Sequence, residues 1–238
     1  MVRVFCDFDG TIAVEDVGAQ LFRTFGGHEA ETAVREYLGG TINARECFER
    51  ECRAVPHLRE PEFFEFVSRF ELDPGFGRFV KFCEERSMPV VVVSDGFDLY
   101  VRRLLESNGH GQLRWFANHV EFVAADGRTR MVPSFPYRDA ECLQCANCKR
   151  NHLLTLSADD DIIVYLGDGF SDRCPVHYAD IVFAKKSLIT YCQQQNISYH
   201  AFQTFDDVRN RMEAILAGAR IKSRREAVMA RRDVFKQG

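Results

Sequence analysis

Short and nearly continuous apolar runs recur along the chain and predict the buried strands of a parallel sheet. The three clearest runs cover residues 2–8, 89–93 and 162–166. Strands that are covered on both faces are apolar without alternation, as these runs are. Shorter apolar runs at 181–184 and 198–202 predict two further strands. The pattern therefore indicates an α/β fold built around a parallel sheet.

The first two runs lie about eighty residues apart, whereas a crossover between parallel strands needs only about a dozen. In this interval Val17, Leu21, Phe22 and Phe25 have the spacing of an amphipathic helix. We expect residues 15–75 to form an inserted helical cap domain, and residues 1–14 and 76–238 to form the core domain. Residues 99–105 predict a helix, and residues 119–132, with ADGR at their centre, predict a β-hairpin.

Composition adds an excess of phenylalanine to an otherwise ordinary globular chain. The 238 residues are 46% hydrophobic and 28% charged, which excludes a disordered or low-complexity protein. There are 21 Phe against one Trp and seven Tyr. Ten of the 21 lie between Phe22 and Phe82, so we expect most of them to build the core of the cap and its contact with the catalytic domain.

Charge and cysteine content limit the location and the partners. The formal net charge of −4 argues against a nucleic-acid partner, and the basic segment 220–238 is typical of a solvated helix. We find no secretory signal and no apolar run that could span a membrane. Nine cysteines without such a signal indicate a reducing compartment, so the cytoplasm is the expected location.

Each of the three main runs ends in Asp or Ser. Asp7 and Asp9 close the first run, and Asp168 and Asp172 follow the third. The carboxyl ends of parallel strands meet at one edge of a sheet, and carboxylates clustered there suit Mg²⁺, which prefers hard oxygen ligands. Each of these acidic motifs alone is just as typical of a simple turn.

The order of the motifs is more specific than any one of them. DFDGT, SDGF, Lys149 and GDGFSD follow one another, and each acidic or serine motif ends an apolar run. This order resembles the haloacid dehalogenase superfamily of phosphohydrolases. The resemblance implies a Rossmann-like three-layer α/β/α core with an inserted helical cap, and Mg²⁺-dependent hydrolysis of a small phosphorylated metabolite.

The resemblance also implies roles for individual residues. Asp7 would be the nucleophile that forms an aspartyl-phosphate, and Asp9 would be the acid and then the base. Ser94 and Lys149 would complete the catalytic group. Four further residues would line the phosphate site: Gly10, Thr11, Asp95 and Gly96. The Mg²⁺ ligands would be Asp7, the Asp9 backbone carbonyl, Asp168 and Asp172, the last directly or through water.

The inserted cap and the hairpin together resemble the phosphoserine phosphatase type within this family. SDGFDLYVRRLLESNG and the cysteines before Lys149 are similar to a branch that acts on a methionine-salvage enol phosphate or on phosphocholine and phosphoethanolamine. Phosphoserine is a further substrate candidate, although Ser171 stands where that enzyme usually has Asn. In the cap, Asp16 could face the substrate or complement a helix dipole, and Arg45 could bind a substrate carboxylate or lie on the surface.

The cysteines ahead of Lys149 leave several alternatives open. Cys142, Cys145 and Cys148, with His152 after them, could bind zinc or could be structural or redox-sensitive thiols. Two rival functions stay open for the protein: a phosphotransferase, and a non-catalytic metal-binding protein that uses this cluster. Both a monomer and a homodimer are compatible with the sequence.

Overall fold

The computed structural model describes residues 1–125, 127–139, 142, 144–218 and 221–236. Two compact units make up the chain: residues 1–12, 72–93 and 149–238 form the first, and residues 13–71 and 94–148 form the second. The units thus group residues 94–148 with the region predicted to be the cap. The division into a core and a cap at residues 15–75 stays a prediction, because compactness alone assigns no role to either unit.

Seven strands and ten helices are present in the described residues. The strands are β1 (Val2–Cys6), β2 (Val90–Phe97), β3 (Arg114–Ala125), β4 (Arg128–Ser134), β5 (Ile162–Gly167), β6 (Ile181–Ala184) and β7 (His200–Ala201). The helices are α1 (Val17–Phe25), α2 (Gly27–Leu38), α3 (Ala44–Ala54), α4 (Glu60–Val67), α5 (Phe76–Glu84), α6 (Asp98–Ser107), α7 (Lys149–Thr155), α8 (Ser187–Gln194), α9 (Phe205–Leu216) and α10 (Arg225–Lys236).

The first unit contains a parallel sheet in the order β2-β1-β5-β6-β7, which confirms the predicted α/β fold class. The central strand β1 pairs Val4 with Val90 on one side and with Val164 on the other. It is wholly buried from Val4 to Cys6, as its unbroken apolar pattern predicts. β1 ends two residues before the predicted end, because the chain turns at Phe8–Ile12.

Aromatic packing holds α5 against α9 in the first unit. The ring centroids of Phe76 and Phe79 lie 5.0 and 5.3 Å from that of Phe205. Phe76, Phe79 and Phe82 therefore belong to the first unit, although they fall within the Phe-rich stretch of the sequence. The other seven phenylalanines of that stretch lie in the second unit.

The second unit combines α1–α4 and α6 with the predicted hairpin, which is the antiparallel pair β3–β4. Phe97, at the end of β2, contacts Phe22 of α1 and Phe48 of α3, with ring centroids 6.1 and 5.4 Å apart. Asp126 at the predicted turn of the hairpin lies outside the described residues. The aromatic contacts connect the end of β2 with the helices of this unit.

The C-terminal helix α10 is not the wholly solvated helix that its basic sequence predicts. Ala227 is fully buried, and Arg231 donates hydrogen bonds to both carboxylate oxygens of Asp180 at 3.2 and 3.3 Å. The Arg224 backbone N–H donates to the same carboxylate at 3.0 Å. The basic residues of this segment thus have a partner within the fold. Residues 220, 237 and 238 of the predicted helix lie outside the described residues.

None of the helices in the described ranges combines the length and the apolar character that a membrane crossing requires.

Candidate active site

Three carboxylates of the first unit come together where β1 and β5 end. Because β1 and β5 are adjacent and parallel, Asp7 and Asp168 leave the sheet at the same edge. The Asp7 backbone N–H continues the ladder by donating to the Leu166 carbonyl at 2.9 Å. Oxygens of Asp7, Asp168 and Asp172 all lie within 4.8 Å of one another. The structure therefore unites three of the acidic residues that the sequence singled out.

Lys149 lies among these carboxylates. Its ammonium donates to Asp7 Oδ1 at 2.6 Å, to Asp172 Oδ1 at 2.7 Å and to Ser171 Oγ at 2.8 Å. The lysine side chain is only 2% exposed, and a buried ammonium needs such partners to offset its desolvation. Lys149 is the first residue of α7, so that helix sets the position of the cation.

Asp172 is held from four sides. The Tyr165 hydroxyl donates to Oδ1 at 2.5 Å, beside the Lys149 ammonium. The backbone N–H groups of Asp168 and Gly169 donate to Oδ2 at 2.8 and 3.0 Å. A carboxylate that accepts four hydrogen bonds is fixed in place, and it can in turn fix the lysine that donates to it.

The turn after Asp7 brings backbone carbonyls towards two lysines that the sequence analysis missed. Gly10 has φ +69°, and a Cβ there would clash with the Asp168 carboxylate and the Lys186 ammonium. Lys186 donates to Gly10 O at 3.2 Å and to Asp168 Oδ2 at 2.9 Å, while Lys185 donates to Thr11 O at 3.3 Å. The Lys-Lys pair directly after a short buried strand was the signal that could have identified them.

The electrostatics of this group fit a divalent cation. Burial raises the pKa of Asp7 well above its usual value, the Asp172 charge raises it further, and Lys149 opposes both. Burial and the Asp172 charge likewise raise the pKa of Asp168. Crowded carboxylates with raised pKa values bind a hard cation readily, and Mg²⁺ takes oxygen ligands of this kind. The Asp9 side chain is not part of this group of three; the family resemblance implies only its backbone carbonyl as a ligand.

The predicted serine motif lies in the second unit, where two asparagines hold it. Ser94 is fully buried, and its Oγ accepts a hydrogen bond from the Gly96 N–H at 2.9 Å. The Asn147 side chain donates to Ser94 O at 2.7 Å, and the Asn147 backbone N–H donates to Asp95 Oδ1 at 2.8 Å. Asn118 donates to Asp95 O at 2.5 Å. Neither asparagine was among the predicted site residues, although Asn147 lies between Cys145 and Cys148 of the cysteine cluster.

The two cap candidates also lie in the second unit. Asp16 is the N-cap of α1 and accepts a hydrogen bond from the Ala19 N–H at 2.8 Å, which is the helix-terminal role that the sequence left open. Arg45 lines a cleft of about 510 Å³ together with three further arginines, Arg50, Arg53 and Arg138. The substrate roles of Asp16 and Arg45 remain predictions.

The cysteine cluster forms a set of interacting thiols. Hydrogen bonds from Cys145 and then Cys148 hold the pKa of the Cys142 thiol well below its usual value. Cys148 Sγ lies 4.0 Å from Asp139 Oδ2. The fourth predicted zinc ligand, His152, is a buried residue of α7 in the first unit. Among the described residues, the acidic group of Asp7, Asp168 and Asp172 is the one whose geometry suits a metal ion.

Comparisons with known proteins find relatives that match most of this chain. Two proteins of Bacillus cereus with the name 2-hydroxy-3-keto-5-methylthiopentenyl-1-phosphate phosphatase are 29% and 30% identical over 218 residues, which cover 90% of this chain and 97% of each relative. The crystal structure of phosphoserine phosphatase from T. onnurineus has a TM-score of 0.64 at 17% identity, over 89% of this chain and 94% of that one.

A structure described as a phospho-aspartyl intermediate analogue of phosphoserine phosphatase gives the same TM-score, 0.64, at 17% identity over 89% of this chain and 99% of that one. At this identity the two solved structures establish the fold. The family model for haloacid dehalogenase-like hydrolases matches residues 4–174, a stretch that contains every motif from Asp7 to Asp172. The chain therefore belongs to the haloacid dehalogenase-like hydrolase family, and it is an enzyme.

Proposed function

We propose that this enzyme is a Mg²⁺-dependent phosphomonoester hydrolase that acts on a small phosphorylated metabolite through an aspartyl-phosphate. The observation that carries this proposal is the buried group in which Lys149 bridges Asp7 and Asp172, with Asp168 beside them. Such a group combines a carboxylate nucleophile with the positive charge that an anionic phosphate requires.

In the first step, a carboxylate oxygen of Asp7 attacks the phosphorus atom and the bond to the ester oxygen breaks. Asp9 donates its proton to the departing alkoxide, which leaves as an alcohol. Lys149 is oriented by its hydrogen bonds to Asp7 and Asp172, and it offsets the negative charge of nucleophile and phosphate. The product of this step is an acyl phosphate on Asp7.

In the second step, Asp9, now ionised, takes a proton from a water molecule whose oxygen attacks the phosphorus atom. The acyl phosphate bond breaks, inorganic phosphate leaves, and Asp7 regains its carboxylate. Asp7, the Asp9 carbonyl and Asp168 would hold Mg²⁺, with Asp172 acting directly or through water. When bound, the ion supplies neutralisation of the phosphoryl oxygens. The family resemblance assigns Ser94 and the Gly96 N–H to these same oxygens.

The replacement of Asp7 by Asn tests the mechanism. We expect purified wild-type enzyme to release p-nitrophenol from p-nitrophenyl phosphate with Mg²⁺ and to lose this activity with EDTA. Asp7→Asn removes the nucleophilic charge at nearly constant volume, so turnover should fall by about a thousandfold or more. An Asp159→Asn variant, changed at an exposed site, should retain wild-type rates. Wild-type turnover in Asp7→Asn would contradict the proposal.

The relatives suggest the first substrate to assay. Because they are named for the methionine-salvage enol phosphate, that compound heads the panel. Phosphoserine, phosphocholine and phosphoethanolamine are the alternatives. Zinc at the cysteine cluster stays a separate proposal that elemental analysis of the purified protein tests.

The cytoplasm remains the expected location, because all nine cysteines are free thiols.

A further inference from the structure

Tyr165 places a hydroxyl in β5, a strand that is otherwise built from aliphatic residues and one glycine. Its side chain is fully buried, as are those of Val164 and Leu166 beside it. A strand that is covered on both faces favours aliphatic side chains, because a buried hydroxyl must find a hydrogen-bond partner. Tyr165 pairs in register with Phe5 of β1, two positions before the nucleophile Asp7. The proposed mechanism gives this tyrosine no role.

The Tyr165 hydroxyl is bound to a carboxylate of the candidate active site. It donates to Asp172 Oδ1 at 2.5 Å, the distance of a charge-assisted hydrogen bond between a hydroxyl and a carboxylate. The same oxygen accepts from the Lys149 ammonium at 2.7 Å. The other oxygen, Oδ2, accepts from the backbone N–H groups of Asp168 and Gly169. The backbone therefore fixes Oδ2, while Tyr165 and Lys149 share Oδ1.

Lys149 lies between two carboxylates that compete for its charge. Its ammonium donates to Asp7 Oδ1 at 2.6 Å and to Asp172 Oδ1 at 2.7 Å, and its side chain is nearly inaccessible to water. In such an environment the position of the ammonium depends on how strongly each carboxylate attracts it. A hydrogen bond to a carboxylate oxygen stabilises the negative charge of that oxygen. The Tyr165 hydroxyl thus reduces the attraction of Asp172 for the ammonium, which leaves the ammonium directed towards Asp7.

We propose that Tyr165 is a positioning residue: through Asp172 it holds the Lys149 ammonium on the nucleophile Asp7, so that it accelerates the chemical step rather than substrate binding. All four residues belong to the first unit. The inference rests on the proposed phosphomonoesterase function, in which Lys149 offsets the charge of nucleophile and phosphate. It also accounts for a tyrosine at a strand position where an aliphatic residue would pack without needing a partner.

Removal of the Tyr165 hydroxyl tests the proposal. Tyr165→Phe takes away one oxygen atom and keeps the buried ring. With p-nitrophenyl phosphate and saturating Mg²⁺, we expect kcat to fall by about tenfold and KM to stay within about twofold of the wild-type value, because the lost hydrogen bond acts on the charge of the transition state. A wild-type kcat in Tyr165→Phe would overturn the proposal.

Tyr191→Phe is the matched control for this variant. Tyr191 lies on α8 in the first unit, and its hydroxyl lies 2.8 Å from Nε2 of His177, so its replacement also removes a hydrogen-bonded hydroxyl. Because this hydroxyl contacts none of the active-site carboxylates in the described residues, Tyr191→Phe should keep the wild-type kcat. An equal fall of kcat in both variants would overturn the specific role of Tyr165.

A double-mutant cycle with Lys149 determines whether Tyr165 acts through that residue. In the Lys149→Met background, Tyr165→Phe should change kcat/KM by less than about twofold, since the ammonium that it positions is gone. A partly misfolded variant would lose the same factor in both backgrounds, so an additive loss would overturn the proposal. If turnover of Lys149→Met falls below detection, Lys149→Arg, which keeps the charge but not the geometry of the ammonium, takes its place with the same expectation.

The wild-type enzyme separates the role of Tyr165 from the proposed function. If wild-type enzyme hydrolyses p-nitrophenyl phosphate with Mg²⁺ and Tyr165→Phe matches its rate, only the role of Tyr165 fails. If wild-type enzyme hydrolyses neither this ester nor any compound of the substrate panel, the phosphomonoesterase function fails, and the role of Tyr165 fails with it.

Discussion

At the scale of single residues, the site depends on how buried charges are paired. Lys149 is nearly inaccessible and donates to two carboxylates and a hydroxyl. Taken alone, this lysine is no different in sequence from a surface lysine. Its burial between Asp7 and Asp172 makes it a structural and an electrostatic requirement at once, because neither carboxylate tolerates the loss of its cation in a buried environment.

Replacement of Lys149 by Met should therefore affect both stability and rate. We expect the free energy of unfolding to fall by about 3 kcal/mol, because two buried carboxylates lose their cation. We expect kcat/KM for aryl phosphates to fall by about a hundredfold or more. Urea denaturation and steady-state kinetics measure the two effects. Lys81→Met, at an exposed position of α5, is the matched control; an equally mild effect of both variants would contradict this account of Lys149.

Glu51, a buried acid of α3 that is only 4% exposed, makes stability depend on pH in a defined direction. Its folded-state pKa of about 8 lies above the value of about 4.3 for an unfolded chain. Between these values the folded protein holds a proton that the unfolded chain has released, so the Glu51 contribution to stability is lost as the pH rises. Gln carries no such proton. The melting temperature of Glu51→Gln minus that of wild type should therefore become more positive as the pH rises from about 5 to about 8. The same difference for Glu49→Gln should stay constant over this range.

At the scale of elements, α10 shows how a basic sequence can be structural. Arg231 has a side chain only 11% exposed, and it donates to Tyr178 O at 2.6 Å as well as to Asp180. The Asp180 carboxylate also accepts from the Ile163 N–H of β5 at 2.9 Å. The ion pair therefore connects the C-terminal helix to a strand next to β1.

Loss of the Arg231 side chain should destabilise the first unit. Arg231→Ala leaves Asp180 buried without this cation, so we expect the free energy of unfolding to fall by about 3 kcal/mol. Arg232 is exposed on the same helix, and Arg232→Ala should change stability by less than about 0.5 kcal/mol. Chemical denaturation measures the free energy of unfolding of both variants. Equal values for the two would indicate a solvated helix and would contradict the anchoring role of Arg231.

At the scale of the whole molecule, the parallel sheet collects charges from distant parts of the chain. Asp7, Lys149 and Asp168 are far apart in sequence, yet the adjacent ends of β1 and β5 and the start of α7 bring them into one group. The net charge of −4 is modest, so the site does not depend on the overall field of the protein. It depends on local crowding of carboxylates, which a bound cation would relieve.

Binding of Mg²⁺ should for this reason stabilise the protein. A ligand that binds only the folded state adds about 2.7 kcal/mol at a concentration one hundred times its dissociation constant, so the melting temperature should rise with Mg²⁺ concentration. Asp168→Asn should remove most of this rise, and Asp159→Asn at an exposed site should retain it. A melting temperature that is insensitive to Mg²⁺ in the wild-type protein would contradict a magnesium site among these carboxylates.

Much of the fold and of the site was predictable because their signals are local. Nearly continuous apolar runs predicted β1, β2, β5 and β6, since a strand covered on both faces is apolar at most positions. The ordered acidic motifs predicted which residues meet, because parallel strands direct their carboxyl ends to one edge. Lys185 and Lys186 were missed, because their role depends on tertiary contacts. Their hydrogen-bond acceptors Thr11 O and Gly10 O lie 174 and 176 positions away in the chain.

The sequence by itself thus determined the fold class, the family and the order of the reactive residues, since periodicity and motif spacing are properties of neighbouring positions. Tertiary structure decided which charges are buried and with which partners. Lys149 became a buried bridge, Arg231 an anchor, and Glu51 an acid without a basic partner among the described residues. Burial and pairing arise from segments that are distant in the chain, and they set the free energy of each charge.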